Sequence, residues 1–131
     1  MENSDQVQLI LPTSDEYEKV AQTTIAHLGI RSEFSLKEIE DLRSVMKETT
    51  KLFLSAGQWE KPLHLNYQFG KRKMRVTVTT QTTEPLDIDD DLLEDYRSSV
   101  EPLVTDIVVN KAKAWVVFEI ALKDEELTNS C

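Results

Sequence analysis

A chain of 131 residues fits one domain of ordinary size, taken here as 1–131 with a core over about 6–123. At this length roughly two-thirds of the unfolded chain's surface is buried on folding, so no disulfide or metal staple is required. Its 24 acidic and 15 basic residues give a net charge of −9, which argues against a phosphate backbone or an anionic membrane as main partner and leaves a basic protein open. In chain order, "QVQLILP" alternates and then runs apolar to Pro12, which predicts a first strand over 6–11. In "TSDEYEKVAQTTIAHLGI", Thr13 or Ser14 caps a helix, Asp15 and Glu16 suit its positive end, and Gly29 sits at the closing cap. Tyr17, Val20, Ala21, Thr24, Ile25 and Leu28 recur at three- and four-residue steps and predict its buried face.

A second helix opens with a capping box, Ser35 and Glu38. Leu36, Ile39, Leu42, Val45, Met46, Thr49, Leu52, Phe53 and Ala56 carry one apolar stripe along 36–56, and Gly57 stops it. Next comes a hairpin. Leu63, Leu65, Tyr67 and Phe69 share a face, Gly70 to Lys73 turn the chain, and Met74, Val76, Val78 and Thr80 return on the same alternation. The acidic stretch after it is broken by Pro85 and Pro102, and its middle, about 89–100, predicts a short helix. "VTDIVVN" and "AWVVFEIAL" then form a closing hairpin around Asn110 to Lys113. The expected fold is α+β: a two-layer sandwich with amphipathic helices on one face of a mixed, mostly antiparallel sheet.

The only cysteine, Cys131, is the last residue, so no intramolecular disulfide forms and no prenylation signal is present. There is no basic stretch followed by an apolar run at the start, and no segment near the ~20 apolar residues of a membrane span. The expectation is a soluble cytoplasmic protein.

The element order resembles the anti-sigma serine-kinase branch of the histidine-kinase-like (GHKL) ATPases. The words that carry the likeness are Pro12 closing the first strand, Leu28-Gly29-Ile30 and Ile39-Glu40-Asp41-Leu42-Arg43. Leu103-Val104-Thr105-Asp106-Ile107-Val108-Val109 matches the family's late strand. The likeness covers about 6 to 123 and implies a Bergerat-like fold. It also implies protein partners, a sigma factor or an anti-sigma antagonist, and a homodimer through strand 6–11 and the helix after it.

The family's nucleotide chemistry does not carry over. Glu48 stands at its catalytic acid and is the one motif residue retained, but the metal-holding Asn is replaced by Leu52. Thr79 to Pro85 occupies the place of a glycine-rich segment, and the three glycines, Gly29, Gly57 and Gly70, all lie elsewhere. The expectation is therefore no catalysis, no cofactor and no metal: a degenerate site on a regulatory binding domain. A serine kinase with Glu48 as general base is the enzymatic alternative, and an unrelated oligomeric α+β adaptor the third.

Candidate partner-binding residues are Asp87, Asp89, Asp90, Asp91, Glu94 and Asp95, an acidic run facing a basic surface, together with Trp59 as an aromatic anchor. The same acids also read as a solvated connection with helix-capping aspartates. Asp87, Asp89 and Asp91 alternate like calcium-loop ligands, yet Leu92 stands where such a loop needs Gly and Ser98 where it needs an acid. His27 and His64 have no Asp or Cys at ligand spacing, and Lys71-Arg72-Lys73 reads as a solvated hairpin tip.

Overall fold

The structure is a computed structural model and describes residues 5–57, 60–81 and 84–122. Strand β1 (Asp5–Leu11) is followed by a single 3-10 turn (Asp15–Tyr17), helix α1 (Glu18–Arg31) and helix α2 (Leu36–Ser55). The hairpin β2 (Leu63–Gly70) and β3 (Lys73–Thr79) comes next, then helix α3 (Asp90–Val100) and the hairpin β4 (Asp106–Asn110) and β5 (Trp115–Ala121).

The strands form one sheet in the order β1-β2-β3-β5-β4. All four pairings are antiparallel, so the expected mixed sheet is corrected. The reason is topological. The chain crosses from β3 through α3 to β4, and β4 does run parallel to β3. The closing hairpin, however, sends β5 back into the slot between them, so the two parallel strands never become neighbours.

The period-two pattern sorts the strands into two faces. Leu63, Leu65, Tyr67 and Phe69 of β2, Met74, Val76 and Val78 of β3, and Val116, Phe118 and Ile120 of β5 are buried on the helix side. The three helices make the second layer, with α2 between its neighbours. Tyr67 sends its hydroxyl up to the carbonyl of Ala21 on α1 at 3.2 Å and lies 3.9 Å from the sulfur of Met46 on α2. Burial pushes the Tyr67 phenol far up, so it remains a hydrogen-bond donor at any working pH.

Helix α2 follows its sequence closely. The Ser35 hydroxyl accepts from the Glu38 amide at 3.2 Å, and the Ser35 amide donates to the Glu38 carboxylate at 2.7 Å. Its stripe is buried from Ile39 to Ala56, while Leu36 in the first turn is exposed. Gly57 takes the left-handed conformation just past the end, with φ +76°.

Helix α1 departs from expectation. Ala21, Ile25, Leu28 and Gly29 are buried, whereas Tyr17 and Val20 face solvent. Tyr17 lies in the preceding 3-10 turn, where three residues per turn break the phase of the α-helical stripe. Val20 stands one helical step from Ala21 and lines up with exposed His27 and Arg31. Gly29 is not the cap: a Cβ there would lie 3.1 Å from Ile39 Cγ1 and 3.3 Å from Leu42 Cδ1, so its bareness lets α1 and α2 approach. The helix closes instead through Glu33 at φ +67°, with the Phe34 amide reaching the Gly29 carbonyl and the Glu33 amide that of Ile30.

Candidate functional site: the cleft between α2 and α3

Three turns into α2 the helix meets α3. Thr49 donates to or accepts from the Tyr96 hydroxyl at 2.7 Å, and the same Thr49 oxygen also bonds the Val45 carbonyl. Tyr96 is 4% exposed. Its phenol is pushed up to about 12, first by burial and then by the charge of Glu48, against the opposing effects of the Thr49 bond and the charge of Arg97. At neutral pH Tyr96 is thus a fixed hydroxyl, unsuited to act as a base.

Beside this pair lies a cleft of about 170 Å³, lined by Glu48, Lys51, Leu52 and Ser55 of α2 and by Leu92, Asp95, Tyr96 and Ser99 of α3. Small-molecule sites begin at roughly 300 Å³, so this cleft is nearer the size of one side chain than of a nucleotide. Leu52, 3% exposed, belongs to the core and turns only hydrocarbon to the cleft. Its burial contributes roughly 1.5–3 kcal/mol to folding. Where the resemblance puts a metal ligand there is no donor atom.

The segment to which the resemblance assigns the glycine-rich part of the site fares no better. Beyond β3, Gln81 has φ +53°, and the chain bends at Glu84 and reaches α3 without regular secondary structure. Leu86 and Ile88 plug into the core, and the Leu86 amide bonds the Lys111 carbonyl at 2.8 Å. A segment anchored by two buried aliphatic side chains offers no glycine cradle for phosphates. The residues present therefore do not fit Mg-ATP.

The acidic candidates divide into two groups. Asp89 is the N-cap of α3, its carboxylate accepting from the Leu92 amide at 2.8 Å. Asp90 lies 3.7 Å from the Lys111 ammonium in an exposed ion pair. Asp87, Asp91, Glu94 and Asp95 are exposed, and of these only Asp95 borders the cleft, where Glu48 faces it from the other helix. Trp59 lies outside the described residues.

His27 sits on the exposed side of α1 and His64 on the far face of the sheet, so the structure does not bring them together. Among the described residues no group of three His, Cys, Asp or Glu side chains could hold a metal ion. Nor is any described helix long and apolar enough to cross a membrane.

Two features escape a reading of the sequence. The Thr49–Tyr96 pair joins residues 47 positions apart, and nothing local marks either as paired. Arg72, expected to be solvated, is instead half-buried and clamps Glu38 through both guanidinium nitrogens at 3.3 and 3.2 Å. The only sequence signal was Glu38 itself, whose second oxygen the capping box leaves over.

A scan against protein-family models and a search of curated proteins each return no match.

Proposed function

We propose that this chain is a non-catalytic regulatory domain that binds another protein, similar in kind to an anti-sigma factor whose nucleotide site has decayed. The observation that carries the reading is the burial of Leu52: the position to which the resemblance assigns the metal-holding Asn carries an aliphatic core side chain. The core-anchored segment at Leu86 and Ile88 and the small cleft support it independently. Its action would be occlusion, a preformed surface covering what a third protein needs. The partner is a sigma factor or an antagonist of one, presenting a basic surface to Asp91, Glu94 and Asp95 on the exposed side of α3.

The test begins with a thermal titration against Mg-ATP and Mg-ADP. Ligand at about a hundred times its dissociation constant adds ~2.7 kcal/mol to stability, several degrees for a domain of this size. The expected result is no shift. A clear shift revives the serine-kinase reading, with Glu48 as general base at the mouth of the cleft, and phosphoryl transfer to a partner serine then decides. On the binding side, a purified sigma factor or antagonist is expected to lose affinity for the Asp91→Asn, Glu94→Gln, Asp95→Asn variant. Unchanged binding would sink the acidic surface as the docking site.

A further inference from the structure

The sheet face turned away from the helices is covered by no other described element. Reading across the strands from β1 to β4, one row is Gln8, Asn66, Thr77, Val117 and Val108. The next is Ile10, His64, Thr79, Trp115 and Asn110. None of these ten is Asp, Glu, Lys or Arg. Those four types make up 30% of the chain, so about three in ten would be expected, and more on a surface. The uncharged band runs the whole width of the sheet, roughly 19 Å at the usual strand spacing. Charge returns only in the third row, where Arg75 lies between Gln68 and Glu119, with Asp106 beyond.

The band is also part apolar. Ile10 is 63% exposed at one edge and Val108 45% exposed at the other, with Trp115 and Val117 half-buried between them. A concavity of about 240 Å³ opens on it beside His64 and Asn66, and one of about 130 Å³ straddles its boundary with the charged row, between Val108 and Trp115 on one side and Arg75, Asp106 and Glu119 on the other. The Asn66 side-chain oxygen is the one buried side-chain N or O among the described residues without a hydrogen-bond partner.

We infer that this band is the contact surface between two copies of the chain. A charge of −9 makes copies repel, so they meet most cheaply where the surface carries no charge. A two-fold contact sets each patch against itself, and an acid near its axis would face its own image. Amides, hydroxyls and an imidazole do not have this problem, because each side chain donates and accepts. A second copy therefore sets matching donors and acceptors against those of the band. The row bearing Arg75 with Glu119 and Asp106 holds both signs, so it can pair with its own copy at the rim.

A basic partner, by contrast, is drawn to α3 on the opposite layer. Three rows supply fifteen residues, fewer than the 20–30 a side of a standard interface, so the dimer is a weak one with a micromolar dissociation constant. The inference does not rest on the proposed regulatory function.

Sedimentation equilibrium from about 5 to 500 μM spans such a constant. Wild-type mass should rise from 15.0 kDa toward twice that value. Val108→Lys and Thr77→Lys should each weaken association at least tenfold. Thr23→Lys, on the exposed side of α1, should leave it unchanged. A monomer at every concentration overturns the inference, as does a dimer that both band variants leave intact. If a band variant unfolds, isotope-filtered NOEs on mixed-labelled wild-type protein decide. Contacts between copies at Trp115 and Val117 support the band, and contacts confined to α1 or the β1 edge overturn it.

Discussion

Arg72 shows how much one side chain can hold. It occupies the left-handed region at φ +54° in the β2–β3 turn, its amide donates to the Ser32 carbonyl at 2.7 Å, and its own carbonyl accepts from the Leu122 amide at 2.9 Å. Its guanidinium bonds the Glu33 carbonyl and both oxygens of Glu38. The hairpin, the α1–α2 corner and the end of β5 are tied at this residue. Burial alone would raise the Glu38 carboxyl, but the Ser35 amide and the hydrogen bonds and charge of Arg72 outweigh it and hold the group below its ordinary 4.5. A depressed carboxylate stabilises the fold above its unfolded value and loses that contribution as pH falls through the folded one. Wild-type protein should therefore lose stability on acidification below pH 4.5 more steeply than Glu38→Gln, which keeps the shape without the charge. The difference should be on the order of 1 kcal/mol, the low end for a charge-assisted bond because the pair is partly open to solvent. Superimposable profiles from denaturant melts between pH 6 and 3 would mean that the clamp carries no charge-dependent stability. The capping box made Glu38 legible, because its partner is three residues away. Arg72 lies 34 residues off and was legible only as a basic turn.

Elements were readable where a local period decided them. The alternation of β2 and β3 and the stripe of α2 each name their own buried face, and the structure places both as expected. The slot taken by β5 was not readable, since no local pattern states which strand a hairpin returns beside. Phase was lost at Tyr17 for a related reason: a 3-10 turn and an α-helix share caps and composition but not angle. In α3 one acidic run supports a partner surface and helix capping alike, and the structure shows the cap at Asp89 and an exposed Asp91. Asp89→Ala removes the N-cap bond to Leu92 and should cost ~1 kcal/mol by urea denaturation. Asp91→Ala, exposed in the first turn, should cost no more than a few tenths. Equal losses for the two would show that the helix is held by its dipole and not by the cap.

On the scale of the whole molecule, charge and its placement set opposing responses to salt. Local ion pairs do little here: four of the five seen among the described residues have at least one largely exposed partner, and exposed pairs contribute little. The excess of 24 acids over 15 bases is the larger electrostatic effect, and it acts by self-repulsion. Raising sodium chloride from about 20 mM to about 0.5 M shortens the screening length from roughly 20 Å to roughly 4 Å. The melting temperature should then rise by a few degrees, the scale of ~1 kcal/mol for a domain of this size. Self-association through an uncharged band should tighten over the same range, because screening removes the repulsion and has no attraction across the band to weaken. Capture of a basic partner by α3 should weaken, since there the attraction itself is screened. Thermal melts, sedimentation and partner titration along one salt series thus give three signs from one variable. A fall in both stability and self-association would show that pairs such as Arg72–Glu38 and the Arg75 rim outweigh the repulsion. A partner affinity indifferent to salt would place the binding surface away from the acids of α3.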